Sequence, residues 1–484
     1  MLNIDTKLEP TQLVDASVRV AELAAAKART IDRVWDPAKG TPVFTVQGRY
    51  TTRGWTEWTQ GFVYGCMILA GDMLRDEKLV ELGRRRTINQ MLPHVTHTGV
   101  HDHGFNNLST YGNLLRLLKE GRGAYDGWEE LAYRNSIAAS GAVQASRWSG
   151  TAPVDSELTA HAPALGYIYS FNGPHSLFID TMRTTRILGA AWRLGHTLMH
   201  EGDRAVDLLK RSVLHGLTTS QYIVFHGAGA DATAPYNESH YNVAGRTAHE
   251  GTFNRNDGAF RARATQQGYS PFSTWTRGLA WAMCGYAEEL EFFDTIDAAD
   301  FKKSVGLTKS AVMKVYRRNA IETCEHYLKD IACTDGVCYW DDGGPGLAQM
   351  PGWADRPADP FNEYEPVDSS ASAIAAQGLI RLGRHLGGRR GDRYVSAGLT
   401  IARTLFDEPY LSTKRGHQGL LLHTIYHWPN RWDHVPAVAS VAFGESSMWG
   451  DYHLIELAHL IARMGKPRTF GAYPTFFTGM GPKD

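Results

Sequence analysis

The chain has 484 residues and a formal net charge of −1, with 50 Lys and Arg against 51 Asp and Glu. That balance supplies no field to steer the protein to nucleic acid or to an anionic membrane, and no stretch reaches the eighteen apolar residues of a membrane span. Aromatic residues make up 11 % of the chain, thirteen of them Trp, which suits a cleft that stacks on sugar rings as well as a large core.

From the N-terminus, Met1 to Lys7 shows no basic region followed by an apolar run, so the protein is expected to be cytoplasmic. Apolar residues then recur at spacings of three and four, as in Leu279, Ala282, Tyr286 and Leu290. The pattern predicts twelve helices, over 11–34, 58–72, 77–92, 105–119, 126–147, 176–199, 203–224, 275–296, 308–329, 369–386, 391–407 and 449–464. Strand signals are hard to find. Six hairpins closed in a ring would let each bury its stripe against both neighbours, so the fold class is all-α, an (α/α)6 barrel. The whole chain, 1–484, is read as a single catalytic domain, with an open α-solenoid as the structural competitor. The five cysteines are odd in number and scattered, which argues for reduced, mostly structural thiols.

The long connections near 225–274, 330–368 and 408–448 are rich in Gly, Pro, Asn, Asp and His, and loops of that length are usually functional. Six helix openings carry dense polar and aromatic motifs. In chain order they are Trp58-Thr59-Gln60-Gly61-Phe62, His101-Asp102-His103-Gly104-Phe105, Ser176-Leu177-Phe178-Ile179-Asp180, Trp275-Thr276-Arg277-Gly278-Leu279-Ala280-Trp281, Glu365-Pro366-Val367-Asp368-Ser369-Ser370 and Trp449-Gly450-Asp451-Tyr452. If all the inner helices begin at one mouth, these six gather in one cleft. His101 and His103 have a spacing that can bind zinc, but no third ligand accompanies them, so no metal and no other cofactor is expected.

The ordered motifs, with His249, Gln267-Gly268-Tyr269 and Tyr339-Trp340-Asp341 between them, resemble the unsaturated glucuronyl hydrolases of glycoside hydrolase family 88, from about Trp55 to the last helix. Family 105, the unsaturated rhamnogalacturonyl hydrolases, shares part of the pattern. The resemblance implies hydrolysis that begins by hydrating the C4=C5 enol ether on an unsaturated uronate at the non-reducing end of a lyase-generated oligosaccharide. It also implies roles for particular residues: Asp180 as general acid and base, Asp102 as its assistant, and Trp58, His249, Gln267, Trp275, Arg277 and Trp281 as substrate contacts. Protonating carbon requires a donor whose pKa is raised, and Phe178, Ile179 and Met182 would supply an apolar wall for Asp180.

Each residue also has a plainer reading. Asp180 and Asp102 could cap helices, Arg277 could make a structural salt bridge, and Trp281 could be core. The chain departs from the family where Gln266 precedes Gln267-Gly268-Tyr269, where Ser270-Pro271-Phe272 follows, and where 342–364 and 428–447 look long, which bears on the aglycone side. Competing functions are a sugar epimerase using His249 and His423, a non-catalytic oligosaccharide binder, and an ordinary two-carboxylate glycosidase. The partner is an unsaturated uronate oligosaccharide, with neither nucleic acid nor membrane, and a homodimer is left open.

Overall fold

The computed structural model describes residues 1–54, 57–122, 127–153, 165–227 and 241–477. The starting point of the resemblance at Trp55, the first residue of the helix expected at 126–147 and part of the connection at 225–274 lie outside them.

Outer and inner helices alternate along the chain. The pairs are α1 (Val14–Val34) with α2 (Gln60–Leu74), and α3 (Glu77–Gln90) with α4, which runs His103–Asn107, a π turn Leu108–Gly112, then Asn113–Lys119. Next come α5 (Gly127–Ser146) with α6, split as Thr181–Thr184 and Arg186–Arg193, and α7 (Leu208–Tyr222) with α8 (Thr276–Asp294). The last pairs are α9 (Lys309–His326) with α10 (Ser369–Leu386), and α11 (Gly388–Leu405) with α12 (Met448–Gly465). The ring closes where α12 packs on α1 and α2, giving the expected (α/α)6 barrel.

Composition decides which helix is inner. Every residue from Gly61 to Met73 of α2 and from Ser369 to Gly383 of α10 is buried, as an inner helix covered on all sides requires. Helices α1 and α3 bury only one stripe. Small residues at the inner-helix starts allow the close approach: a Cβ on Gly61 would sit 2.2 Å from the Asn106 carbonyl oxygen, and one on Gly104 2.3 Å from that of Thr184. No helix among the described residues is long and apolar enough to cross a membrane.

Two expected helices are shorter than the periodicity suggests. Residues 176–178 are not helix: Ser176–Phe178 (β1) pairs antiparallel with Glu250–Phe253 (β2), which pairs with Phe260–Ala264 (β3). Likewise Leu198–His200 pairs with Arg204–Val206, so helix α7 starts only at Leu208, where the Asp207 side chain accepts the N–H of Lys210. Cross-strand bonds outweigh the local apolar spacing at both places, to distant sequence in the first and within a short hairpin in the second.

All five cysteines are buried and free of disulfides.

Candidate active site

Four of the six helix openings, those at 58–62, 101–105, 176–180 and 275–281, and the connections near 225–274 and 408–448 meet around one cavity of about 600 Å³; among the described residues, the connection near 330–368 and the openings at 365–370 and 449–452 contribute nothing to its lining. Its wall includes Trp58, His101, Asp102, Phe105, Asp180, Gln267, Trp275, Arg277 and Trp281, so most of the residues expected at the site converge.

Asp102 and Asp180 both occupy the position before the first turn of a helix, yet neither carboxylate accepts a helix N–H. Elsewhere in this chain aspartates in that position do cap: Asp76 accepts from Leu79, Asp207 from Lys210 and Asp368 from Ser370. The two mouth aspartates are therefore not committed to capping, although they are only 8 % and 9 % exposed. Burying an ionised carboxylate without such partners is costly, so another group must compensate.

His101 is that group. Its Nε2 lies 2.9 Å from Asp180 Oδ1 and 3.8 Å from Asp102 Oδ1. The carboxylates are thus within reach of a single pyranose ring. Burial opposes charge on His101, but Asp102 and Asp180 together raise its pKa above the ordinary imidazole value. For Asp180, burial pushes upward but His101 outweighs it, and the pKa falls below the usual carboxylate value. Asp102 moves the other way, raised by burial despite His101, with Asp180 adding repulsion. The apolar wall expected to raise Asp180 is present, since Phe178 and Ile179 are buried, but an imidazolium in hydrogen-bonding contact overrides it. The surroundings therefore favour a proton on His101 and Asp102 and disfavour one on Asp180, each relative to its ordinary value.

His103 points elsewhere, with Nδ1 on Ser140 at 2.7 Å and Nε2 on the His97 carbonyl at 2.9 Å, so the two histidines do not converge on one point. The small sheet brings His249 to the site: β2 starts immediately after it, and Ile179 N–H donates to the His249 carbonyl at 3.0 Å. His249 stands behind the cavity wall, its ring 4.4 Å from Phe178 and 4.7 Å from Trp275. Burial pushes its pKa down to about 3. Nδ1 accepts the N–H of Gln266 at 2.9 Å, so the neutral ring carries its hydrogen on Nε2, which is buried and has no protein partner among the described residues.

Arg277 lines the cavity, but its guanidinium is already occupied. It meets Asp368 Oδ2 at 2.7 Å, Gln267 Oε1 at 2.9 Å and the carbonyls of Tyr426, at 2.8 Å, and Ile425. The plainer reading of a structural salt bridge at the mouth fits these contacts. Gln267 is left with its amide N–H groups for a ligand. Trp58 stacks on Trp449 at 5.1 Å, while Trp281 forms the floor beside Phe105 and His453. Asp451, the carboxylate of the last motif, is structural: it accepts from Tyr50, Ser446 and the N–H groups of Leu420 and Leu421.

Sequence reasoning missed His97, Phe171, Tyr426, His427, Asn430 and Trp432, all of which line the cavity. The aromatic density of 426–432 inside a long connection was the available signal. His423, the second histidine of the epimerase reading, is not in the wall. It packs between Phe361 and Tyr410, and its Nδ1 accepts the Gly444 N–H at 3.1 Å.

A helical barrel with two buried carboxylates and an aromatic cleft at one mouth has the shape and the groups that a sugar ring needs. No protein-family model matches the chain. It is 27 % identical over 195 residues to an unsaturated glucuronyl hydrolase of Bacillus sp. (strain GL1), an alignment covering 40 % of this chain and 40 % of that relative's length. The crystal structure of unsaturated glucuronyl hydrolase from Bacillus sp. GL1 superposes with a TM-score of 0.65 at 20 % identity, covering 95 % of this chain and 98 % of that one. A Streptococcus agalactiae unsaturated glucuronyl hydrolase variant solved in complex with dGlcA-GalNAc6S gives a TM-score of 0.56 at 20 % identity, over 93 % of this chain and 91 % of that one. The chain is thus similar to unsaturated glucuronyl hydrolases in sequence over two fifths of its length and in fold over nearly all of it.

Proposed function

We propose that the protein removes a 4,5-unsaturated uronate from the non-reducing end of oligosaccharides left by polysaccharide lyases, beginning with hydration of the C4=C5 enol ether. The observation that carries this reading is the pair of mouth carboxylates, uncommitted to capping and bridged by one imidazole, beneath an aromatic cleft. The relatives' names and the dGlcA-GalNAc6S complex of the Streptococcus agalactiae variant support it.

In the mechanism we infer, the sugar ring lies against Trp58 and Trp275, with the Gln267 amide offered as a donor. The uronate carboxylate brings a further negative charge into a buried site, which raises the pKa of both aspartates. The proton on His101 then passes across the 2.9 Å hydrogen bond to Asp180, which delivers it to C4. The resulting oxocarbenium at C5 takes a water whose proton returns to Asp180. The C5 hemiketal opens to a ketone, leaving a hemiacetal at C1 that expels the aglycone alcohol. Asp102 holds a ring hydroxyl and keeps the shared proton in the trio.

The test is a screen of the purified protein against lyase digests of several uronate polymers, following loss of the enol-ether ultraviolet absorbance. Steady loss with at least one digest is expected. Stable absorbance with all of them, from folded protein, would overturn the reading.

A further inference from the structure

The rim of the cavity carries an unusual concentration of backbone restraints. Asp433 accepts the N–H of Tyr426 through Oδ1 at 2.5 Å and the N–H of His427 through Oδ2 at 2.9 Å. The carbonyls of Ile425 and Tyr426 are held by Arg277, and Ile425 N–H faces Asp368 Oδ1 at 3.4 Å. Successive peptide groups of an otherwise irregular loop are therefore held by side-chain charges rather than by a ladder of secondary structure. Burial pushes Asp433 up to about 6, so at neutral pH it is the carboxylate that accepts both N–H groups.

What this latch positions is a wall of the cavity. Tyr426, His427, Asn430 and Trp432 all line it, with the Tyr426 and Trp432 rings 5.4 Å apart and those of His427 and Trp432 4.6 Å apart. The Arg53 guanidinium sits 3.7 Å above the Trp432 ring, stiffening it from one side. The floor of the cavity, Phe105 and Trp281, is fully buried, whereas Asn430 is exposed and Trp432 half-buried. A terminal uronate inserts its own ring first, so the sugar attached to it must leave past the rim.

We propose that Tyr426–Asp433 forms the wall against which the second sugar lies, and that Asp433 is the positioning residue that sets this wall. The inference rests on the function proposed above. A flat aromatic wall takes the apolar face of a pyranose, and each stacked contact survives only while the loop is held, because an unlatched loop would pay its ordering entropy on every binding event. Asp433 touches no reacting atom, so its loss should act on binding of the aglycone and not on the chemistry at C4 and C5.

Two measurements on Asp433→Asn test this. The first is hydrogen–deuterium exchange of the ligand-free protein: the amides of Tyr426 and His427 should be protected in the wild type and exchange faster in the variant. Unchanged exchange would overturn the latch, whatever the protein turns over. The second compares two substrates, an unsaturated uronyl disaccharide and the methyl glycoside of the same unsaturated uronate. For the disaccharide, KM should rise about tenfold with kcat nearly kept, the signature of lost uniform binding. For the methyl glycoside, which has no second sugar, KM should not move. Equal effects on both substrates, or none on the disaccharide, would overturn the assignment of the wall. Trp432→Ala provides the same KM comparison if the Asp433 variant does not fold. A wild type inactive on every unsaturated uronide would instead sink the functional reading, while the exchange result would still decide the latch.

Discussion

One imidazole nitrogen, His101 Nε2, stands 2.9 Å from Asp180 and 3.8 Å from Asp102, so the two mouth carboxylates share a single imidazole. Their acid–base behaviour is thereby linked: the imidazolium that lowers Asp180 cannot be removed without raising it, and the proton it holds is the nearest one to a ring seated above both aspartates.

Asp180→Asn is expected to bind substrate and turn it over very slowly. The amide keeps the shape and loses the transferable proton, and general acid–base catalysis is worth roughly a hundred- to ten-thousand-fold. Steady-state turnover together with equilibrium binding of an unsaturated disaccharide checks this. Near-normal kcat in the folded variant would take Asp180 out of the role.

The pH profile of kcat/KM should fall on the basic side as the trio loses its shared proton, with that limb above the ordinary imidazole value of 6.5 because His101 is raised. His101→Gln removes the cation that holds Asp180 down. Asp180 then rises, the remaining proton belongs to carboxyls alone, and the basic limb moves to lower pH. Profiles of the two proteins that superpose would show that His101 does not share the catalytic proton.

Saturated glucuronides with the same aglycone should be inert, however good the leaving group, because they lack the double bond that is protonated. In heavy water, newly released product should carry deuterium at C4 at the earliest times. Efficient cleavage of the saturated compounds would move the protein to conventional two-carboxylate chemistry.

Gly104→Ala should destabilise the barrel by about 1–3 kcal/mol, the usual cost of forcing a methyl into a packed contact. Its Cβ would meet backbone, the Thr184 oxygen at 2.3 Å, and no rotamer change can relieve that. Chemical denaturation reads the loss directly. A variant as stable as the wild type would mean that α4 and α6 can part at little cost.

The twelve helices were legible because burial on one stripe or on all sides leaves a periodic trace, as from Leu279 to Leu290 in α8. Most of the site residues were legible because their motifs stand at helix starts, which the ring brings to one mouth. The sheet was not, since Phe178 pairs with Glu250 across a long intervening segment and neither strand has more than four residues. Nor was the direction of the Asp180 shift. Phe178 and Ile179 are visible in sequence as apolar neighbours, but the imidazole that outweighs them comes from position 101 and is placed there only by the fold. The commitment of Arg277 to Asp368, Ile425 and Tyr426 depends likewise on three separate segments meeting.

The closure of the ring sets an order of events during synthesis. Tyr50 OH donates to Asp451 at 2.7 Å, Thr45 N–H donates to the Ser446 carbonyl and Ser446 N–H returns to Thr45 Oγ1, both at 2.8 Å, while α1 lies against α12. Helices α1 and α2 must wait for α12, which begins only at Met448 whereas α2 ends at Leu74, before their apolar faces are covered. Wall residues such as Trp58, Tyr426 and Trp432 come together only at that late stage. A nascent chain halted before Met448 would hold five of the six hairpins with α1 and α2 exposed along one seam, a sticky intermediate that favours chaperone capture over early release.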